Sequence, residues 1–303
     1  MNKSKKLGIQ GRPDVPPRLF DLVPRYIEKY GYKDCLFAGK VDRKWVKYNG
    51  EKFYEITNAI SYGLLKIGVK RGDRIALIAN NAPEWNMIDF AIQQVGAICI
   101  PIYPTISHDD YDYIFKHSEA SIAFITNKFL YSKVADIIAN IPTIKDVYLI
   151  KASEEMKSLQ ELIDLGNENK DVETLEARKA EVKNEDIATI IYTSGTMGTP
   201  KGVMLTHRNI LSVVEYLCPL YPINEKHDAI SYLPLSHIYE RTVQYCHIYL
   251  GCTTYYIDNL GAIIDTMAEI KPTHFSSVPR LIEKVYHTIV RKGHKLKGIK
   301  KMI

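Results

Sequence analysis

Between residues 73 and 150, short apolar runs rich in Ile and Val alternate with amphipathic stretches, and this rhythm narrows the fold more than any other feature. Residues 73–79, 97–101, 121–126 and 147–150 read as strands. Residues 83–94, 108–117 and 129–139 read as helices between them, the first opening on Pro83, whose fixed φ suits a first helical turn. Strand–helix–strand units joined in this way build a parallel sheet with helices on both faces. Runs of Ile and Val without in–out alternation fit strands buried on both sides.

The flanks extend the pattern. Residues 1–17 read as a loose arm ending in Pro13, Pro16 and Pro17. Residues 18–30 have helical spacing around Leu19, Leu22, Tyr26 and Ile27, residues 44–48 read as a strand, and 51–67 as an amphipathic helix stopped by Gly68. Residues 151–185 are rich in Glu, Lys and Asn and read as a solvated excursion with one helical stretch. Thr206 can cap a helix over 207–217. Strands at 229–233, 253–257 and 274–278 then alternate with helices at 237–250, 260–269 and 279–291. The expected organisation is two doubly wound α/β lobes, one over about 70–222 and the other over about 18–68 plus 226–303.

Composition sets bounds on function. With 46% hydrophobic and 25% charged residues, the 303-residue chain has the make-up of a globular protein. A net charge of +5, with basic residues spread along the chain, argues against nucleic acid and is compatible with anionic substrates or a membrane surface. Five cysteines without a C-x-x-C pair argue for reduced thiols and a cytoplasmic compartment. Cys246 and His247, near His237 in sequence, read as packing groups, with metal ligation the weaker alternative. No apolar signal region follows the basic start, and no run reaches the roughly 18 apolar residues of a membrane span. The basic tail from Arg291 reads as a solvated helix end, with contact to a membrane or a ligand phosphate as the alternative.

The chemistry concentrates in Tyr192-Thr-Ser-Gly-Thr-Met-Gly-Thr-Pro-Lys-Gly202, set between two β-like runs. Glycines let a backbone bend close to an anion, and successive N–H groups then form a nest for it. Thr193, Ser194 and Thr196 add hydroxyl donors, Gly195 and Gly198 the flexibility, and Lys201 a mobile positive charge. A Walker A loop is excluded, because Pro200 precedes the lysine and Gly202 follows it. Composition alone leaves a polar hairpin turn equally open.

The whole string, continued by Val-Met-Leu-Thr-His207, resembles the phosphate-binding signature of the adenylate-forming superfamily, with Met197 standing where a second hydroxyl is usual. Ser231-Tyr-Leu-Pro-Leu-Ser-His-Ile-Tyr-Glu-Arg241 resembles that superfamily's Leu-Pro-Leu-x-His element, in the form common among long-chain acyl-CoA synthetases. His274-Phe-Ser-Ser-Val-Pro-Arg280 is similar to a further segment of the same enzymes and reads as packing beside a substrate tunnel. Two earlier strings, from Gly72 and from Gly96, match first-lobe elements and read as core strand plus turn. Together the matches run in order over about residues 20–303.

The resemblance implies an acid–thiol ligase that uses ATP, Mg²⁺ and CoA to convert a fatty acid into acyl-AMP and then into a thioester, and it admits a homodimer and peripheral membrane contact. It places ATP phosphates on Thr193, Ser194, Gly195, Thr196, Gly198 and Lys201, with Thr196 and Lys201 catalytic and Thr193 a Mg²⁺ ligand. It places His237 at the junction of acyl and adenylate pockets; a lone histidine in such a string otherwise reads as buried and bonded to backbone. Glu240 and Arg241 read either as an ion pair orienting their helix or as catalytic groups. The superfamily's ribose-binding Asp, hinge and lid domain have no counterpart in the chain, so the expectation is an incomplete N-terminal adenylation domain that is inactive alone. Other adenylate-forming chemistries, on aryl, amino or fatty acids stopped at acyl-AMP, and a non-catalytic nucleotide- or lipid-binding role are the alternatives.

Overall fold

Alternation along the strands decides which side chains face which layer. The computed structural model describes residues 14–193 and 199–294. A 3-10 turn over Leu19–Asp21 tightens the start of the first expected helix, which becomes α1 (Leu22–Tyr30). Next comes a hairpin of β1 (Phe37–Val41) and β2 (Lys44–Tyr48). Its turn residues Asp42 and Arg43 both have positive φ, 48° and 65°. Two left-handed residues in a row twist the way paired strands do. The sequence reading missed β1 because Asp-Arg lacks the glycine that usually marks such a turn. The helix α2 (Gly50–Lys66) follows, started by the Asn49 side chain accepting from the Lys52 N–H.

The repeating units come next: β3 (Arg74–Ile78), α3 (Pro83–Gln94), β4 (Ile98–Ile102), α4 (His108–Ser118) and β5 (Ile122–Ile125). The single helix expected over 129–139 is instead two short ones, α5 (Lys128–Ser132) and α6 (Ala135–Ala139), ahead of β6 (Asp146–Leu149). The expected solvated excursion is also corrected. It holds two helices, α7 (Leu159–Glu168) and α8 (Val172–Glu181), and α7 docks on α2. A Cβ at Gly166 would lie 1.8 Å from the Ala59 carbonyl oxygen, and one at Gly63 would lie 2.4 Å from that of Leu162. The two backbones therefore meet where only glycine fits.

The chain then forms β7 (Ile187–Thr193), β8 (Lys201–Thr206) and α9 (His207–Leu217), the last started by a reciprocal Thr206–Asn209 capping box. It ends its described course with β9 (Asp228–Ser231), α10 (Ile238–Leu250), β10 (Thr253–Tyr256), α11 (Ile263–Ile270), β11 (His274–Phe275) and α12 (Pro279–His294).

Two sheets result. One has six strands in the order β6-β5-β3-β4-β7-β8, parallel except for β8. The other has five in the order β11-β9-β10-β1-β2, parallel except for β2. Ile75 and Leu77 of β3 point into the largest core cluster while Ala76 and Ile78 point into a second one, as period-2 geometry requires. Phe37 and Ala38 of β1 divide in the same way between the largest cluster and a third. Helices α4–α6 cover the outer face of the six-stranded sheet and α11 covers that of the other. Between the sheets lie α3 and α10, buried along nearly their whole lengths, with the Phe37, Phe53, Phe90 and Tyr245 rings in sequential contact.

Candidate active site

Open parallel sheets present backbone and side chains at the carboxyl ends of their strands. Here the ends of β4 and β7 and the start of α10 enclose a cavity of about 520 Å³. Ile102, Ile106, Ile114, Ile191 and Ile238 give it apolar walls, and Thr193, Pro200, His237 and Asp110 bring polar or loop-root groups to the same space.

The β7–β8 hairpin carries the phosphate-loop candidate. Thr193 ends β7 and Lys201 begins β8, both exposed and directly opposite each other in the antiparallel register. Ser194, Gly195, Thr196, Met197 and Gly198 lie outside the described residues. One step back, Tyr192 pairs with Gly202, where a Cβ would lie 2.9 Å from Ile190 and 3.4 Å from the Tyr192 ring. The missing side chain thus leaves room for that ring. The Tyr192 hydroxyl meets His117 Nδ1 of α4 at 2.7 Å, and burial raises its pKa to about 12. Tyr192 is therefore a neutral strut fixing the root of the loop.

His237 stands on the opposite wall. It is exposed, which corrects the buried-histidine alternative, yet it does bond to backbone: Nδ1 accepts from the Tyr239 N–H at 3.1 Å and so caps α10. A ring nitrogen that accepts from an N–H carries no proton, so the neutral imidazole holds its proton on Nε2. The structure thus brings Thr193 and His237 to one cavity; Lys201 pairs opposite Thr193 in the hairpin but is not among the residues lining it.

Glu240 and Arg241 do not pair with each other. The Glu240 carboxylate is buried and accepts from Ser231 Oγ at 2.6 Å and from Gln244 Nε2 at 3.0 Å. Burial raises its pKa to about 7 against those two bonds. Arg241 is fully buried and reaches back to Asp89 of α3, with Nε donating to Oδ2 at 3.2 Å and Nη2 to Oδ1. Its Nη1 donates to Thr189 Oγ1 at 2.8 Å, and Tyr245 donates to Asp89 Oδ2 at 2.7 Å. Burial alone would favour a neutral guanidinium, but the Asp89 carboxylate outweighs it and holds Arg241 protonated. This constellation ties α3 and α10 to β7, and none of its residues lines the cavity.

Sequence reasoning missed the contribution of the β4 exit. Pro101 and Tyr103, read as core strand plus turn, line the cavity, and Ile106 together with Asp110 of α4, both given no role by the sequence reading, join them. Their position just past a parallel strand's carboxyl end was the available signal. His207, which ends the phosphate-loop string, is structural: its buried Nδ1 accepts from the Leu19 N–H at 3.2 Å. Cys246, His247 and the other four cysteines are buried, and among the described residues no three potential metal-ligating groups converge. The tail beyond His294 lies outside the described residues.

Known proteins match the chain in family and in fold. The family described as AMP-binding enzyme matches residues 25–303. A long-chain-fatty-acid–CoA ligase of Mycobacterium tuberculosis, FadD15, is 31% identical over 84% of this chain and 42% of its own length. The human long-chain-fatty-acid–CoA ligase ACSBG2 is 28% identical over 95% of this chain and 44% of its own. A crystal structure of a long-chain-fatty-acid–CoA ligase (FadD1) from Archaeoglobus fulgidus superposes with a TM-score of 0.78 at 23% identity, covering 91% of this chain and 54% of that one. The chain spans less than half the length of the curated relatives it matches.

Proposed function

The chain belongs to the AMP-binding enzyme family, and on that footing we propose that it carries the nucleotide- and acyl-binding half of a long-chain fatty acid–CoA ligase. The observation that carries this reading is the shared cavity. An acyl-adenylate needs an apolar slot for its chain and a polar, anion-tolerant rim for its phosphate. Ile102, Ile106, Ile114, Ile191 and Ile238 supply the first, while Thr193, Pro200 and His237 border the second.

In the proposed reaction a fatty acid carboxylate oxygen attacks the α-phosphorus of ATP, the bond to the β-phosphate breaks, and pyrophosphate leaves. The CoA thiol, its proton released to solvent, then attacks the acyl carbon as thiolate, and AMP leaves with the electron pair of the broken anhydride bond. Neither step requires a covalent link to protein, so the residues act by positioning and by stabilising charge. Thr193, Ser194 and Thr196 donate hydroxyl hydrogen bonds to phosphate oxygens, the amides of Gly195 and Gly198 complete the cradle, and Lys201 offsets charge on the departing pyrophosphate. Because the proton of neutral His237 sits on Nε2, that nitrogen can donate to the carboxylate oxygen or the new acyl carbonyl.

Mg²⁺ supplies charge neutralisation on the phosphates when bound. A hard cation that keeps several waters needs only one or two protein oxygens. The exposed Thr193 hydroxyl and the Asp110 carboxylate on the same cavity are oxygen donors of the required kind.

The test is direct binding of non-hydrolysable sulfamoyl-adenosine analogues carrying lauroyl, benzoyl or alanyl groups, followed by calorimetry. The lauroyl analogue should bind at least tenfold more tightly than the other two, given the several CH₂ groups it buries. Equal affinity, or preference for the benzoyl or alanyl analogue, would point to another adenylate-forming chemistry.

A further inference from the structure

The cavity draws its walls from both sheets: Ile102 and Thr193 come from the six-stranded sheet, and His237 and Ile238 follow the five-stranded one. Its shape therefore depends on whatever ties the two together near His237. The segment that delivers His237, residues 232–236, lies between β9 and α10 and has no ladder of its own. Pro234 within it lacks an N–H, and its carbonyl accepts from the His237 N–H at 2.9 Å, closing a tight turn.

One side chain from the other sheet grips that turn. Asn81, buried in the loop between β3 and α3, donates through Nδ2 to the Leu233 carbonyl at 2.7 Å and accepts through Oδ1 from the Leu235 N–H at 3.1 Å. Its Nδ2 also donates to Ser231 Oγ at 3.2 Å. Ser231 in turn donates to Glu240 Oε1 at 2.6 Å, and Gln244 supports the same oxygen at 3.0 Å. Both functional ends of one amide are thus committed to the two residues that flank Pro234. An alanine there offers neither bond, and a carboxylate offers only the acceptor.

We propose that Asn81 is a positioning residue for the cavity, clamping Leu233 and Leu235 across the sheet boundary so that His237 is held at one place on the wall. It touches no substrate in this role and acts through the Pro234 turn. The ligand-binding part of the proposal rests on the acyl-adenylate reading above; the clamp itself does not.

The experiment combines hydrogen–deuterium exchange with binding of lauroyl-sulfamoyl-adenosine to the full chain. In Asn81→Ala, exchange over 232–237 should quicken roughly tenfold while β3–β5 keep their protection, and the analogue should bind roughly tenfold more weakly. Asn81→Gln, which retains both the donor and the acceptor on a longer side chain, should fall between wild type and Asn81→Ala in both readouts. It carries the test if the alanine variant does not fold. Combined with His237→Ala, the loss on Asn81→Ala should shrink, because a clamp has no effect on an imidazole that is gone. Unchanged exchange over 232–237 in a folded variant, or full additivity with His237→Ala, would overturn the proposal. If wild type itself binds no lauroyl analogue, the acyl-adenylate reading fails, and the exchange result alone decides the clamp.

Discussion

Two polar regions of this molecule sit on either side of α10's first turn and are built in opposite ways. Thr193, at the β7–β8 loop root, and His237 are exposed and border an open cavity, with Lys201 exposed and paired opposite Thr193 in the hairpin. In the seam between α3 and α10, Asp89, Arg241 and Tyr245 are fully buried and bond to one another and to Thr189. Exposed groups with spare hydrogen-bonding capacity are available to a ligand. A buried pair with every bond directed at protein holds elements together, and loss of one member strands the other. Arg241 and His237 are four residues apart in one sequence string, yet only one of them belongs to the cavity.

The largest effect should follow from breaking the seam. Arg241→Ala leaves the Asp89 charge buried without its partner and should destabilise by about 3–5 kcal/mol. Denaturant unfolding of Arg241→Ala and of Arg241→Ala/Asp89→Leu would measure it. The double variant should recover part of the loss, since it removes the stranded charge as well. A loss under about 1 kcal/mol for the single variant would mean that the seam contributes no more than an exposed pair does.

Titration separates the regions next, through two groups of opposite sign. Glu240 ionises near 4.5 in an unfolded chain and is pushed up to about 7 when folded. The folded state then holds more protons in that window, so Glu240 makes stability fall as pH rises from 4.5 through 7. His207 behaves inversely: burial lowers its pKa from 6.5 to about 4, so its contribution falls as pH drops through that interval. At roughly 1.4 kcal/mol per unit, each slope amounts to about 3.5 kcal/mol in full. The opposing slopes mask each other in wild type between 4.5 and 6.5. Glu240→Gln should remove the loss on the alkaline side, and His207→Gln the loss on the acid side, in unfolding free energies measured from pH 4 to 8. A Glu240→Gln profile parallel to wild type would sink the buried-carboxyl account.

A smaller effect is expected where two helices touch through glycine. Gly166→Ala places a methyl against the Ala59 carbonyl, and overpacking of this kind destabilises by roughly 1–3 kcal/mol. Its unfolding midpoint should fall while binding at the cavity, which no residue of α2 or α7 lines, stays within twofold. An unshifted midpoint would show that α7 lifts away from α2 at little cost, as the sequence reading of a solvated excursion supposed.

That misreading marks the limit of what pattern can carry. Periodicity located all four parallel strands between residues 73 and 150, because buried Ile and Val runs are a local signal. Gly63 and Gly166 are uninformative one at a time; they acquire meaning only when α2 and α7 cross, and charged neighbours hid the crossing. The site divides in the same way. The composition of the hydroxyl, glycine and lysine string fits an anion loop and a plain hairpin turn equally; of that string the structure describes Thr193 facing Lys201 across the hairpin. Tyr103, Asp110 and Ile106 reach the cavity because β4 ends beside β7, a neighbour relation that sheet order creates and no local spacing encodes. Arg241's partner lies 152 residues away, so its adjacency to Glu240 in sequence misled.

The smallest change in stability should come from Lys201→Ala, the substitution that most sharpens the contrast with Arg241. Lys201 opens β8, exposed and directly across from Thr193. Loss of an exposed side chain away from caps and cores leaves stability within about 0.5 kcal/mol. Alanine also keeps the backbone N–H and C=O that pair β8 with β7, so the hairpin should persist. What disappears is a charge able to bond a phosphate oxygen, and charge-assisted bonds of that kind contribute about 1.5–3 kcal/mol. MgATP should therefore bind roughly 10- to 100-fold more weakly to the variant in equilibrium titrations, with the unfolding midpoint unmoved. Lys201→Arg should restore part of the affinity, since the charge returns on a bulkier, fork-shaped donor. A lower midpoint with unaltered MgATP affinity would reverse the comparison, making Lys201 part of the architecture and leaving the loop a turn between two strands.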